Sequence, residues 1–368
     1  MAGTVKNYYA GGNTAKGFHN LFDSNLKNLE RLFILKGGPG TGKSTLMKKI
    51  GEEWLDKGLN IEYIHCSSDN NSIDGVIIRD LQVGIVDGTA PHVIEPTAPG
   101  AVEEYVNLGD AWDSKKLALH KDEILKLSNQ ISDSFQTAYA LFAQGLKIHD
   151  EWEVFYIQNM DFVEANKLTE ELIEEFFGGV SLNKKSNVVH RFLGAATPKG
   201  PVDFIQNLTA DIENRYFLKG RPGSGKSTML KKIAANAENL GYNVEIYHCG
   251  FDPNSLDMII CREIGVAIFD STAPHEHFPD RETDKVVDMY TRAIKPGTDE
   301  KYADKISEIQ ERYSAKMKEA TSYLAKAKEL HDQLENIYVE AVDFNILNLK
   351  QEEINSEIIR IEENVKEK

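Results

Sequence analysis

Sliding the sequence along itself by 183 positions, the distance from Gly37 to Gly220, lays Thr14–His92 over Thr197–His275 without a gap. About four positions in ten are then identical, and the offset is close to half of the 368 residues. The chain is therefore one domain written twice, with repeats at 1–185 and 186–368 joined between Gly179 and Asn187. Two cores of ordinary size fit that length, and the repeats are expected to share one strand order.

The most specific segment of each repeat is a glycine-rich loop, "GGPGTGKST" in the first and "GRPGSGKST" in the second. Gly37, Gly42, Lys43 and Ser44, like Gly220, Gly225, Lys226 and Ser227, satisfy the phosphate-binding P-loop pattern. Glycines let the backbone aim successive N–H groups at phosphate oxygens while the following helix presents its positive end. The predicted phosphate cradles are thus Gly37, Gly38, Pro39, Gly40, Thr41, Gly42, Lys43, Ser44 and Thr45, and Gly220, Arg221, Pro222, Gly223, Ser224, Gly225, Lys226, Ser227 and Thr228. The lysine reaches the outer phosphates, and the Ser44 or Ser227 hydroxyl is placed for Mg²⁺. Apolar runs "RLFILK" and "NRYFLK" enter the loops, and helical periodicity follows each, so both sit between a strand and a helix.

Further strand-like runs open each repeat ("KNYYAGG", "NVVHRFLGAA") and follow the loop helix ("NIEYIHC", "NVEIYHC", then "VGIVD", "VAIFD"). Strands alternating with helices predict an α/β fold of two tandem parallel-sheet domains, with cores at about 1–110 and 186–284. Beyond each core, at about 111–178 and 285–366, the pattern is helical and charged. Ile306, Ile309, Tyr313, Met317, Ala320, Leu324 and Ala327 draw an apolar seam on one face, so a helical hairpin is expected after each core. These hairpins either complete the fold or offer a surface to a protein partner.

Asp87 and Asp270 end the third apolar run, where an acid is expected to orient a Mg²⁺ shell, the alternative being a loop cap. The next residue is Gly88 or Ser271, where many efficient P-loop motors carry a water-polarising glutamate. Asp69, Asp74 and His92, with Asp252, Asp257 and His275, are substitutes for it, or else turn caps and surface groups. Arg79 and Arg262 occupy matching positions and are read either as phosphate sensors or as helix-end salt bridges. The "HC" pairs at His65–Cys66 and His248–Cys249 are not a metal site, because neighbours on a strand point to opposite faces.

A net charge of −16 argues against a broad nucleic-acid surface and leaves a small anionic ligand compatible. No run has the length of a signal peptide or a membrane span, and three cysteines make no disulfide framework, so a cytoplasmic protein without membrane contact is expected.

With both loops and both "D-[GS]-T-A-P-H" segments in view, the chain resembles a bacterial family of uncharacterised tandem P-loop ATP-binding proteins. The resemblance implies ATP as ligand and leaves the reaction open. Three readings compete: a slow Mg²⁺-dependent ATPase with Lys43, Asp87, Lys226 and Asp270 at work, a kinase for a nucleotide or other small molecule, and a non-catalytic ATP-binding switch. Asp80–His190 contains no arginine, which counts against the kinase. Persistence of Lys, Ser and Asp in both repeats counts against the pure switch.

Overall fold

The structure, a computed structural model, describes residues 3–367. The first repeat runs β1 (Val5–Tyr8), β2 (Gly11–Thr14), β3 (Gly17–Asn20), α1 (Phe22–Asn25), β4 (Arg31–Lys36), α2 (Lys43–Asp56), β5 (Ile61–His65), β6 (Ile73–Ile78), β7 (Val83–Asp87) and β8 (Glu103–Asn107). Three helices follow, α3 (Ser114–Leu119), α4 (Lys121–Ile157) and α5 (Phe162–Phe177). The second repeat runs β9 (Val188–Phe192), β10 (Gly194–Thr197), β11 (Gly200–Asp203), α6 (Ile205–Leu208), β12 (Asn214–Lys219), α7 (Lys226–Asn239), β13 (Val244–His248), β14 (Leu256–Cys261), β15 (Val266–Asp270) and β16 (Lys285–Asp288). It closes with α8 (Met289–Ala293), α9 (Thr298–Lys301), α10 (Ala303–Val339) and α11 (Phe344–Lys366).

Each repeat holds a six-stranded sheet, and the strand order is the same in both: β1-β5-β6-β7-β4-β8 and β9-β13-β14-β15-β12-β16. The sheets are mostly parallel, not wholly so as the sequence led us to expect. β6 and β14 run against both neighbours. The short link Arg79–Gln82 between β6 and β7 is the reason, since a parallel pair needs a crossover of a dozen residues or more.

One face of the first sheet packs on α2 through Leu35, Met47, Ile50 and Trp54, and that of the second packs on α7 through Leu218, Met229, Leu230 and Ile233. The opposite faces of the two sheets meet in a shared core where Tyr8, Phe22, Ile34 and Val86 join Leu208, Phe217, Tyr247 and Phe269. The repeats are thus joined back to back.

α4 and α10 each have 37 residues and span about 55 Å. They pair antiparallel: Ala138, Leu141 and Phe142 pack with Ala320 and Leu324 at the middle, and Tyr156 with Ile306 near one end. The seam read from the sequence is present, but the expected helical hairpin after each core is not: α4 and α10 pair with each other across the repeats, and α5 and α11 pack on the cores instead. Where each helix ends, the chain has reached the other repeat. The amide of Asp161 donates to Ala293 O at 2.7 Å, and that of Asp343 to Ala111 O at 2.8 Å. Both aspartates then cap the next helix, α5 or α11. α5 lays Leu168, Leu172 and Phe176 into the core of the second repeat, whereas α11 lays Leu347, Ile354 and Ile358 into that of the first. The boundary near 185 gives the order along the chain, but the terminal helices cover cores across it.

Candidate functional site

Both glycine-rich loops leave the ends of β4 and β12, each one strand in from a sheet edge, and enter α2 and α7 at Gly42 and Gly225, whose φ values are 68° and 86°. Gly40 and Gly223 are also left-handed, at 69° and 72°. An L side chain rarely adopts this conformation, so these glycines are required by the turn. No side chain caps either helix, and the first-turn amides stay directed into the loop.

The Lys43 ammonium lies across its loop, donating to Gly37 O at 2.8 Å and Gly38 O at 2.9 Å. It also stands 3.6 Å from the Asp87 carboxylate on the adjacent strand. Lys226 repeats this at 3.6 Å from Asp270, donating to Arg221 O at 3.1 Å. Asp87 and Asp270 cap the loops that follow them: one oxygen accepts the amide of Thr89 or Thr272, at 2.9 and 3.0 Å, and the other faces the lysine. The Ser44 and Ser227 hydroxyls accept the amides of Ile73 and Leu256 at 3.0 Å, which leaves each oxygen one lone pair for a cation. Thr41 and Ser224 tie the loops to Gly38 O and Arg221 O. The pattern residues of each repeat therefore converge at one strand end.

Asp74 and Asp257 do not lie in turns. They lie on β6 and β14, each one residue before the pairing with Val86 or Phe269 begins, and both are buried. His92 Nε2 lies 3.5 Å from Asp74, whose second oxygen has no partner. Burial lowers the pKa of His92, but Asp74 and then Asp87 outweigh this and leave it raised. In the second repeat His275 turns instead to Asp203, at 3.0 Å, and Asp203 corresponds to Asn20 of the first. Burial and then Asp270 push the Asp257 carboxyl up to about 6. The two sites share a framework and differ in their proton inventory.

Other expectations are corrected or refined. Asp69 and Asp252 cap their own turns, accepting the amides of Asn71 and Asn254. Arg79 and Arg262 are not phosphate sensors. They pair with Glu62 at 2.7 Å and Glu245 at 2.6 Å, before the strands whose far ends carry Asp87 and Asp270, on the order of 15 Å away. Gly88 and Ser271 are not vacant catalytic positions either. A Cβ on Gly88 would lie 2.3 Å from the Ile34 side chain, and the Ser271 hydroxyl donates to His277 O at 2.6 Å. A glutamate there would point into the shared core. Cys66 and Cys249 are free thiols, held in their protonated form by burial and then by Asp74 or Asp257.

Two groups escaped the sequence reading. His149, Asp150 and Glu153 on α4 lie together, as do His331, Asp332 and Glu335 on α10. The signal was present as H-D-x-x-E in "HDEWE" and "HDQLE", 182 positions apart, one short of the repeat offset. A cavity of about 410 Å³ between the repeats is lined by Glu62, Arg79, Arg191, Glu245 and Arg262, charges that already pair with one another.

Among the described residues, no helix is long and apolar enough to cross a membrane. Compared with protein-family models, curated proteins and solved structures, the chain matches none.

Proposed function

We propose that the protein binds ATP with Mg²⁺ at both glycine-rich loops and hydrolyses it slowly, linking the two sites to the paired long helices. The observation that carries this reading is the duplicate arrangement of loop, lysine, serine and aspartate, with Lys43 and Lys226 each 3.6 Å from the acid of the neighbouring strand.

The uncapped amides of α2 and α7 suit phosphate oxygens, and the lysine, now bonded to loop carbonyls, has the reach to turn to the outer phosphates. Ser44 with Asp87, and Ser227 with Asp270, are the residues that would hold Mg²⁺, which when bound offsets charge on the β- and γ-phosphates. With Gly88 and Ser271 directed away from the phosphates, neither strand-end aspartate has a water-orienting neighbour. The strand-end residues by themselves would support turnover of only about 10⁻⁴ to 10⁻² per second, the range of unassisted P-loop hydrolysis.

Calorimetry with Mg²⁺–ATP tests the reading. About two ATP per chain are expected if both loops work, and about one in Lys43→Ala or Lys226→Ala. Unchanged stoichiometry in both variants, or no binding by the wild type, would overturn it.

A further inference from the structure

The long helices bring the groups that the strand ends lack. α4 starts beside the first loop, where Trp112 packs against Gly38, and ends on the second, where a Cβ on Gly223 would lie 2.7 Å from Glu153 O and 2.9 Å from its Cα. α10 runs the other way and sets Glu335 O 3.0 Å from the corresponding point on Gly40. Each loop is thus roofed by the H-D-x-x-E segment of the other repeat. Histidine and glutamate stand one helical turn apart, on one face, with His149 Nδ1 3.6 Å from Glu153 Oε1.

Resting on the nucleotide reading above, we propose that each site is composite: Glu153 with His149 serves the Lys226 loop, and Glu335 with His331 serves the Lys43 loop. The glutamate is the catalytic base that takes a proton from the attacking water. In that step the water oxygen bonds to the γ-phosphorus, the bond from phosphorus to the bridging oxygen breaks, ADP departs with the electron pair, and the proton passes through the carboxylate to solvent. The histidine is a positioning residue.

The electrostatics at the second loop agree with this geometry. Burial and then Asp150 raise the Glu153 pKa, against the pull of Lys226 and the Gly223 amide, as suits a base. Burial lowers that of His149, with Lys226 acting the same way against the opposing pull of Asp150, Asp252 and Asp270, which favours the neutral imidazole. α4 and α10 pack on each other at the middle and near one end, so the two glutamates ride on one joined pair of helices.

Pairwise variants separate this arrangement from one in which each glutamate serves its own repeat. Lys43→Ala with Glu335→Gln puts both lesions in one site, and phosphate release should stay near that of Lys43→Ala alone. Lys43→Ala with Glu153→Gln strikes both sites and should fall about a hundredfold lower. The reverse pattern, or equal rates in the two doubles, overturns the proposal.

A second readout does not depend on turnover. In a background with both Trp54→Phe and Trp112→Phe, which leaves Trp152 as the one tryptophan of the sequence, Mg²⁺–ATP should change the emission, with Lys226→Ala abolishing the change and Lys43→Ala leaving it. The opposite dependence overturns the pairing. Binding without hydrolysis in the wild type overturns the glutamate's role and the hydrolysis while leaving nucleotide binding standing, and absence of binding overturns the nucleotide reading itself.

Discussion

Gly40 and Gly223 hold the same place in their loops, and each meets two demands at once. Their positive φ excludes ordinary side chains, and the backbone of a helix from the other repeat occupies the space a Cβ would need. The second demand is stricter at Gly223, whose nearest contacts are backbone atoms under 3.0 Å, than at Gly40, where they begin at 3.0 Å. Gly223→Ala is therefore expected to destabilise more than Gly40→Ala, and both by more than the roughly 1 kcal/mol that left-handed strain alone brings. Urea unfolding of the two variants checks this. A Gly223→Ala loss no larger than that of a surface alanine would mean that α4 does not rest on the loop.

α11 tests the exchange of helices between repeats at the scale of the element. Ile358 is fully buried against the first core, and Asn355 of the same helix accepts the indole N–H of Trp54 at 2.9 Å. Ile358→Ala leaves a cavity there and should cost about 2–5 kcal/mol, although the residue lies at the far end of the chain from the core it fills. Hydrogen exchange should show lost protection in β4, β5 and α2 with α7 unchanged. Loss confined to α7 and β13 would place the helix on its own repeat. This arrangement was not legible in the sequence, because α5 and α11 carry similar apolar stripes and either would suit either core. The long helix before each one decided it, by delivering the chain to the neighbouring repeat before the stripe begins.

Across the whole molecule the repeats are held by a buried charge cluster as well as by the shared core. Arg191 occupies the position that is Tyr8 in the first repeat and stacks on that ring at 4.1 Å, reaching Glu62 at 3.1 Å and Glu245 at 3.6 Å. Burial alone would raise both carboxyls, but Arg191, then Arg79 for Glu62 and Arg262 for Glu245, holds each at about 2. Folded values below the ordinary 4.5 mean that this stabilisation is present above that pH and is lost as pH falls toward about 2. Arg191→Met should cost about 3–5 kcal/mol at pH 7, since it leaves two buried carboxylates short of a partner. Its deficit should narrow below pH 4.5, where protonation relieves them. Denaturant midpoints of wild type and variant from pH 7 to pH 3 measure both, and a deficit independent of pH would rule out the charge origin.

The sequence by itself determined what is local or repeated: the duplication, the loops between strand and helix, the strands ending in Asp87 and Asp270, and the seam of α10. Each is written in short-range pattern, a period of two or of three to four residues, or a glycine where φ must be positive. β6 escaped because Asp74 and Gly75 break its apolar run, and only the sheet shows them to be buried strand residues opposite β7. The HDxxE segments repeat in sequence too, yet nothing local states which loop they face. Tertiary structure alone decided that, as it decided the antiparallel strand, the turning of Gly88 and Ser271 toward the shared core, and the distance of Arg79 and Arg262 from the strand ends that carry Asp87 and Asp270. These follow from the path of a 37-residue helix and the packing of two sheets back to back, neither of which any short window of residues encodes.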